Sequence, residues 1–344
     1  MRVLHIVGVM PDSGTPWAMP FVESQIESLR KAGLEIDVLD LSAIFGRSWT
    51  KYLKGIVELR RRLYENRYDL LHAHYSYCGW IARCQWAVPV VVSLMGSDLS
   101  GTPDLQGRQT WTGWIDRVAS LLLVYLVEHV IVKSQWMATQ VPRKCNISVL
   151  PNGVDFEQFK PLPRSMAREH FGMGEQDTVI LFAADPANPV KNYALAQKAV
   201  DIMNAGAANS LNLLWPFYNQ PHEEVPLAMN AADVLLLTSF HEGSPNVVKE
   251  AMACNLPIVS VRVGDVAEII SGARYCYLAD YDPNDIATKL ALVFESGERS
   301  NGRQCIENLR LEVVAAKLAE IYGQVLENAR SGNNPSSGKK LCND

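Results

Sequence analysis

Glu242 and Glu250 frame a short turn in the segment HEGSPNVVKEAMACNLPIVSVRVGDVAEI, residues 241–269. Two carboxylates at such a turn can accept hydrogen bonds from the hydroxyls of a ligand, or stabilise positive charge developing on one. Ser244 is a favoured N-cap residue and Pro245 suits the first helical position, so the spacing predicts a helix from Pro245 to about Asn255. Glu242 then faces the helix N-terminus, with Glu250 about a turn and a half inside. A helix N-terminus reached directly from the strand-like run DVLLLTS offers free N–H groups to anions or hydroxyls at the carboxyl end of a sheet. Taken alone, the pair reads as a solvated loop charge and an exposed helix residue. The surrounding segment changes that reading.

The span Ala231–Glu268 closely resembles the nucleotide-sugar-binding segment of glycosyltransferase family 4, retaining enzymes of the GT-B fold. The motif is a Glu, seven residues and a second Glu, which here opens Glu-Ala-Met-Ala, with a Pro before a strand and a Val-Gly-Asp loop after it. DLLHAHYS (69–76), PVVVSLMGSDL (89–99), ISVLPNGVD (147–155) and Lys191-Asn192 stand in the order that the family shows. The resemblance implies two facing Rossmann-like domains, with the donor held in the C-terminal one and the acceptor mostly in the N-terminal one.

It also implies roles. Glu242 would sit beside the donor sugar and Glu250 on the nucleotide ribose. Lys191 would pair with the departing diphosphate, where a compact ammonium neutralises charge. Gly243, Ser244, Pro245, Asn246 and Val247 would form the donor-binding turn, and the N–H groups from Ser244 to Val247 would hold sugar and phosphate. Gly14, in MPDSGTPWAMPF, resembles the glycine of a loop that approaches the donor phosphates, because it lacks the Cβ that would block approach. Asp98 is expected either to bind acceptor or to order its loop. His72 and His74 alternate on one strand and so point to the same side; His72 is expected to be structural and His74 to line the acceptor cleft. With no further ligand evident at suitable spacing, no metal is expected.

Two positions depart from the pattern. Many relatives carry an Arg shortly before the lysine, where this chain runs Phe182-Ala183-Ala184-Asp185. Many also have a His before Gly96, where this chain has Met95, a side chain that cannot titrate.

Elements able to hold these residues are legible as Val/Ile/Leu-rich runs alternating with helix-period segments. Continuous apolar strands separated by helices predict parallel sheets covered on both faces, an α/β chain with two doubly wound domains. PNGVDFEQFKPLPR (151–164) marks the boundary, giving an N-terminal domain over 1–155 and a C-terminal domain over 156–330 whose last helix is able to pack back on the first. The polar tail from 331 to 344 is expected to be disordered.

Composition excludes other classes. With 344 residues, 48% apolar and 20% charged, the chain can bury two cores. A net charge of −5 argues against nucleic-acid binding. The charge is uneven, +2 over residues 1–160 against −7 over the remainder. Seven scattered cysteines without a Cys-x-x-Cys pair fit reduced thiols. The start lacks the features of a signal peptide, and the run VASLLLVYLV is about half a membrane span, so the expected location is cytoplasmic. GRSWTKYLKGIVELRRRLYENR (46–67) carries seven basic and two acidic residues with apolar ones interleaved, which allows peripheral contact with the inner face of a membrane.

Together these expectations describe a retaining, metal-independent transferase without a cofactor, moving sugar from a UDP- or GDP-sugar to a hydroxyl of a glycan or lipid-linked intermediate. Surface polysaccharide or glycoconjugate synthesis is the expected setting. The alternatives are a catalytically silent GT-B binding partner and a nucleotide-sugar epimerase or hydrolase.

Overall fold

A computed structural model describes residues 1–11, 19–45, 50–101, 110–142, 144–205 and 212–331. Gly14, the start of the basic segment (46–49) and the tail from 332 onward lie outside the described residues. Strands β1 (Arg2–Val7), β2 (Glu35–Asp40), β3 (Leu70–His74), β4 (Val90–Ser93), β5 (His129–Val132) and β6 (Ile147–Val149) form the first sheet. Its order is β2-β1-β3-β4-β5-β6, with every pair parallel. Strands β7 (Thr178–Phe182), β8 (Asn212–Pro216), β9 (Val234–Leu237), β10 (Ile258–Val261) and β11 (Cys276–Ala279) form the second, also parallel, in the order β11-β10-β9-β7-β8. Each sheet has a switch point where strand order reverses, which is where α/β sheets open a crevice for ligands.

Helices cover both faces because the strands are apolar on both. One face of the first sheet, with Leu4, Ile6, Leu71 and Val92, packs against the helices Lys51–Glu65, Ser76–Arg83 and Trp111–Leu123 through Leu59, Ile81 and Leu123. The opposite face, with Val3, Val7, Leu70 and Val91, packs against Pro20–Lys31 and the last helix, Leu311–Arg330. The chain therefore returns to its first sheet at its end, through Val314, Leu318 and Tyr322. No described helix is long and apolar enough to cross a membrane.

That returning helix closes over a polar cluster. His5 on β1 is in register with His72 on β3, and the two-residue pleat puts His74 on the same face. All three are fully buried. His72 has both ring nitrogens engaged, Nδ1 with the Tyr322 hydroxyl at 2.6 Å and Nε2 with Ser93 Oγ at 2.8 Å. His5 Nδ1 meets His74 Nε2 at 3.0 Å, and His5 Nε2 meets Tyr322 at 3.2 Å. His72 is thus structural. His74 does not line an open cleft, because the last helix seals this face.

Three ring nitrogens within 4.8 Å of one another is a spacing a metal ion could use. His5 is the member that sequence spacing did not supply. The charged groups acting on these imidazoles are Arg30 and Lys133, both cations, which disfavours adding a dication in a buried site.

Burial holds His5 down to about 3 and the other two well below the ordinary histidine range. The native state keeps them neutral while the unfolded chain protonates near pH 6.5, so the unfolded state binds more protons as pH falls below that value. Stability is accordingly full above about pH 6.5 and declines toward pH 3, each imidazole adding up to about 1.4 kcal/mol per pH unit. Thermal unfolding measured from pH 7 to pH 4 is expected to show this slope, and His5→Gln is expected to flatten it.

Candidate active site

The loop from β9 to the helix Asn246–Ala253 carries Glu242 through Pro245. The helix begins one residue later than its sequence suggests: Pro245 holds the N-cap position with φ −67° and ψ 117°, and no side chain caps it. Ser244 is engaged elsewhere. Its hydroxyl accepts from the Lys249 ammonium at 3.2 Å, and Lys249 also donates to the Asn152 carbonyl at 3.1 Å. Since proline has no N–H, the donors that this turn can present are those of Ser244, Asn246 and Val247.

Lys191 reaches this loop from the other side of β9. It ends a short helical turn, Pro189–Lys191, and Asn192 follows with φ 53°. Thr238 Oγ1 donates to the Lys191 and Asn192 carbonyls at 2.9 and 3.1 Å, and the Phe240 N–H donates to the Val190 carbonyl at 2.8 Å. With both backbones laced together, the Lys191 ammonium meets Glu242 Oε1 at 2.6 Å. Both side chains remain partly open to solvent.

Glu250 lies further along the helix, mostly buried, with His222 Nε2 at 3.6 Å from its Oε1. His222 follows β8 and is itself held by Gln158 at 3.2 Å. The structure therefore brings Glu242, Lys191 and the turn into one site, while Glu250, beside an imidazole, lines a small cavity with His222, Gln158 and Asn246.

The first domain contributes at closest range through backbone. A Cβ on Gly243 would lie 2.8 Å from the Met95 carbonyl and 3.1 Å from Gly96 Cα. Gly96 has φ 133° and faces Gly243 in turn, while Gly264, with φ 55°, packs on the Gly243 carbonyl from behind. Met95 is thus a backbone neighbour of the donor loop.

Asp98 orders that neighbour: its oxygens accept from the Met95 N–H at 2.8 Å and the Ser76 N–H at 2.9 Å. Burial raises its carboxyl above the usual range, and these N–H donors oppose the rise. Of its two expected roles, loop ordering is the one this geometry performs.

Sequence reasoning passed over several residues here. Tyr75 sits at the start of the helix Ser76–Arg83 with φ 73°, a costly backbone conformation for a bulky residue. Burial raises its phenol, and the nearby carboxylates of Asp98 and Glu242 add to the rise. Lys249 is fully buried; burial pushes its ammonium down to about 8, with Asp265 and Glu250 opposing. Asp265 is pushed up to about 6 by burial and bonds Ser244. Lys249 could have been found from its period, since with Met252 and Ala253 it lies on the buried stripe of the helix. A cavity of about 320 Å³ opens beside Glu242. Arg262 and Glu268 of the second domain and Ser100 and Trp136 of the first also line it.

Two parallel α/β domains meeting over a helix N-terminus, with a carboxylate and a lysine at its mouth, have the architecture of the GT-B fold. Comparison with known proteins gives the family. Residues 190–296 match the family described as glycosyl transferases group 1, and residues 22–158 match glycosyltransferase family 4. The chain belongs to glycosyltransferase family 4.

D-inositol 3-phosphate glycosyltransferase 2 of Catenulispora acidiphila is 24% identical, over 81% of this chain and 76% of that one. Sucrose-phosphate synthase from Thermosynechococcus elongatus superposes with a TM-score of 0.75 at 16% identity, covering 95% of this chain and 99% of that one. HepE from Anabaena, solved with UDP and glucose, gives 0.71 at 15% identity, over 94% and 100%.

Because the Met95–Gly96 backbone and the Met137 sulfur close on the Gly243 Cβ position, Gly243→Ala forces the two domains apart at the donor loop. The expected outcome is a loss of about 1–3 kcal/mol in thermal stability, from overpacking. A fall of about tenfold or more in donor turnover should accompany it, because misplacement at a site is costly.

Proposed function

We propose that this protein is a retaining, metal-independent glycosyltransferase that takes its sugar from a nucleoside diphosphate sugar and delivers it to a hydroxyl of a glycan or lipid-linked acceptor. The observation that carries this reading is the 2.6 Å contact of Lys191 with Glu242 at the mouth of the donor helix. An ammonium has three N–H donors, so Lys191 can keep Glu242 in place and still neutralise a leaving diphosphate. Glu242, so held, orients the hydroxyls of the donor sugar and stabilises oxocarbenium character as the glycosidic bond lengthens. The Asn246 and Val247 N–H groups add the donors of the helix N-terminus.

Glu250 takes the ribose hydroxyls with its two acceptor oxygens. Same-face attack, with the leaving phosphate accepting the acceptor's proton, needs no further base and gives retention. The missing upstream Arg leaves Lys191 and the turn to stabilise the diphosphate. UDP is the favoured nucleotide, supported by the HepE complex with UDP. GDP is the other nucleotide to test.

An inositol phosphate acceptor is supported by the name of the Catenulispora relative. The cavity beside Glu242, with Ser100 and Trp136 on its first-domain wall, is the proposed acceptor side. The proposed setting is the cytoplasmic side of a membrane, with the basic segment making peripheral contact.

The test is turnover of a panel of UDP- and GDP-sugars by the parent and by Glu242→Ala and Lys191→Ala. A loss of about 10²–10³-fold in kcat is expected for either variant, as for removal of a single charge-stabilising group. Parent-like turnover by both would overturn the assignment. Glu250→Ala is expected to raise the donor KM more than it lowers kcat, since ribose contacts persist from ground state to transition state.

A further inference from the structure

The helix Trp111–Leu123 is inside out. It buries Gly113, Ser120 and Leu123 against the first domain, while Trp111 is 74% exposed, Trp114 59% and Leu122 56%. Trp111, Ile115 and Leu122 fall on one stripe at helical spacing, and Tyr125 is exposed just beyond. The helix is well formed, with the Thr110 hydroxyl accepting from the Gly113 N–H at 3.2 Å. A contiguous outward apolar stripe of this kind marks a surface that something covers.

Its neighbours continue the surface. The helices Lys51–Glu65 and Ser76–Arg83 cover the same face of the first sheet, so all three look outward together. Tyr77 of the middle helix bonds Asp116 of the aromatic one, and its ring lies 5.3 Å from Tyr52 of the third. That third helix exposes Leu53, Val57 and Tyr64 on its own stripe. Between Lys51 and Arg67 there are six basic residues and two acidic ones. Both acidic residues are engaged: Glu58 pairs with Arg61 and Arg62, and Glu65 with Arg61. The surface is therefore aromatic and basic.

We propose that the outward face of these three helices is the docking surface for an anionic lipid bilayer, with Trp111–Leu123 as the segment that enters the headgroup layer. Charge complementarity decides the occupant. Exposed indole and phenol rings on a face that also carries a basic helix are the combination an anionic interface holds, the rings at headgroup depth and the cations on lipid phosphates. Two copies of the chain meeting through this face would set basic helix against basic helix, which is repulsive.

The placement suits a lipid-anchored acceptor. Arg117 of the aromatic helix bonds Gln140 at 3.0 Å, fixing it beside the helix Gln135–Gln140. Trp136 of that helix is on the wall of the cavity at Glu242. A bilayer under the aromatic helix would thus border the open side of the reacting site.

The experiment is co-sedimentation of the full chain with unilamellar vesicles of phosphatidylcholine alone and of phosphatidylcholine with phosphatidylglycerol, without donor present. Binding measured this way stands or falls independently of the transferase assignment. The full chain is expected to sediment with the anionic vesicles, much less with the neutral ones, and to be released by salt. Trp111→Ser/Trp114→Ser is expected to weaken the partition about tenfold or more through lost apolar burial. Arg60→Glu/Arg67→Glu is expected to abolish the preference for anionic lipid. Circular dichroism of both variants should match the parent, since the changed side chains are exposed. Absence of sedimentation with either vesicle, or unchanged sedimentation of both variants, would overturn the proposal. So would a dimer by size exclusion that the tryptophan variant converts to monomer, which assigns the face to a second copy.

Discussion

The position of the reacting groups depends on one close approach, the passage of Gly243 against the Met95–Gly96 backbone. Main chain meets main chain there, with the Met137 sulfur closing the same position, at the turn that begins the donor helix. Gly264 backs the same turn from its other side. Held on both sides, the turn fixes Glu242, and Glu242 in turn is where Lys191 arrives. The loop of the first domain that makes this contact is itself held by Asp98, whose two oxygens bridge the Met95 loop to the start of the helix Ser76–Arg83. Asp98 therefore acts on the site through the backbone it orders.

A second layer of the site is ionic and buried. Lys249 reaches from the donor helix to Ser244 and to the Asn152 carbonyl of the segment joining the domains. Asn152 also donates to Asn246 at 3.2 Å. The joining segment is thus fastened to the first turn of the donor helix by main chain and side chain together. Lys133, at the end of β5, is buried nearby without a hydrogen-bond partner among the described residues. Burial and the charge of Lys249 push its ammonium down to about 7. Buried cations at a domain boundary make the relative placement of the domains sensitive to charge.

Much of this was legible in the sequence. Apolar runs without alternation gave parallel strands, because a strand covered on both faces needs no polar side. The Glu242 and Glu250 spacing with its Ser-Pro turn pointed to a helix N-terminus, and the structure displaces its start by only one residue. The displacement has a cause outside local sequence: Lys249 takes the serine that was expected to cap. His74 went the other way. Position on a strand end suggested a cleft, but the last helix, hundreds of residues away in the chain, covers that face and buries it.

What the sequence determined by itself is the set of elements and the chemistry they carry, since pleat, helical period and turn residues act over a few positions. The pairing of Lys191 with Glu242, the meeting of His5 with His72 and His74, and the outward turn of Trp111 and Trp114 were decided only by tertiary structure. Each depends on which face of a sheet or helix is covered by a segment remote in the chain. That choice is made by burying the largest apolar area, which no local pattern contains.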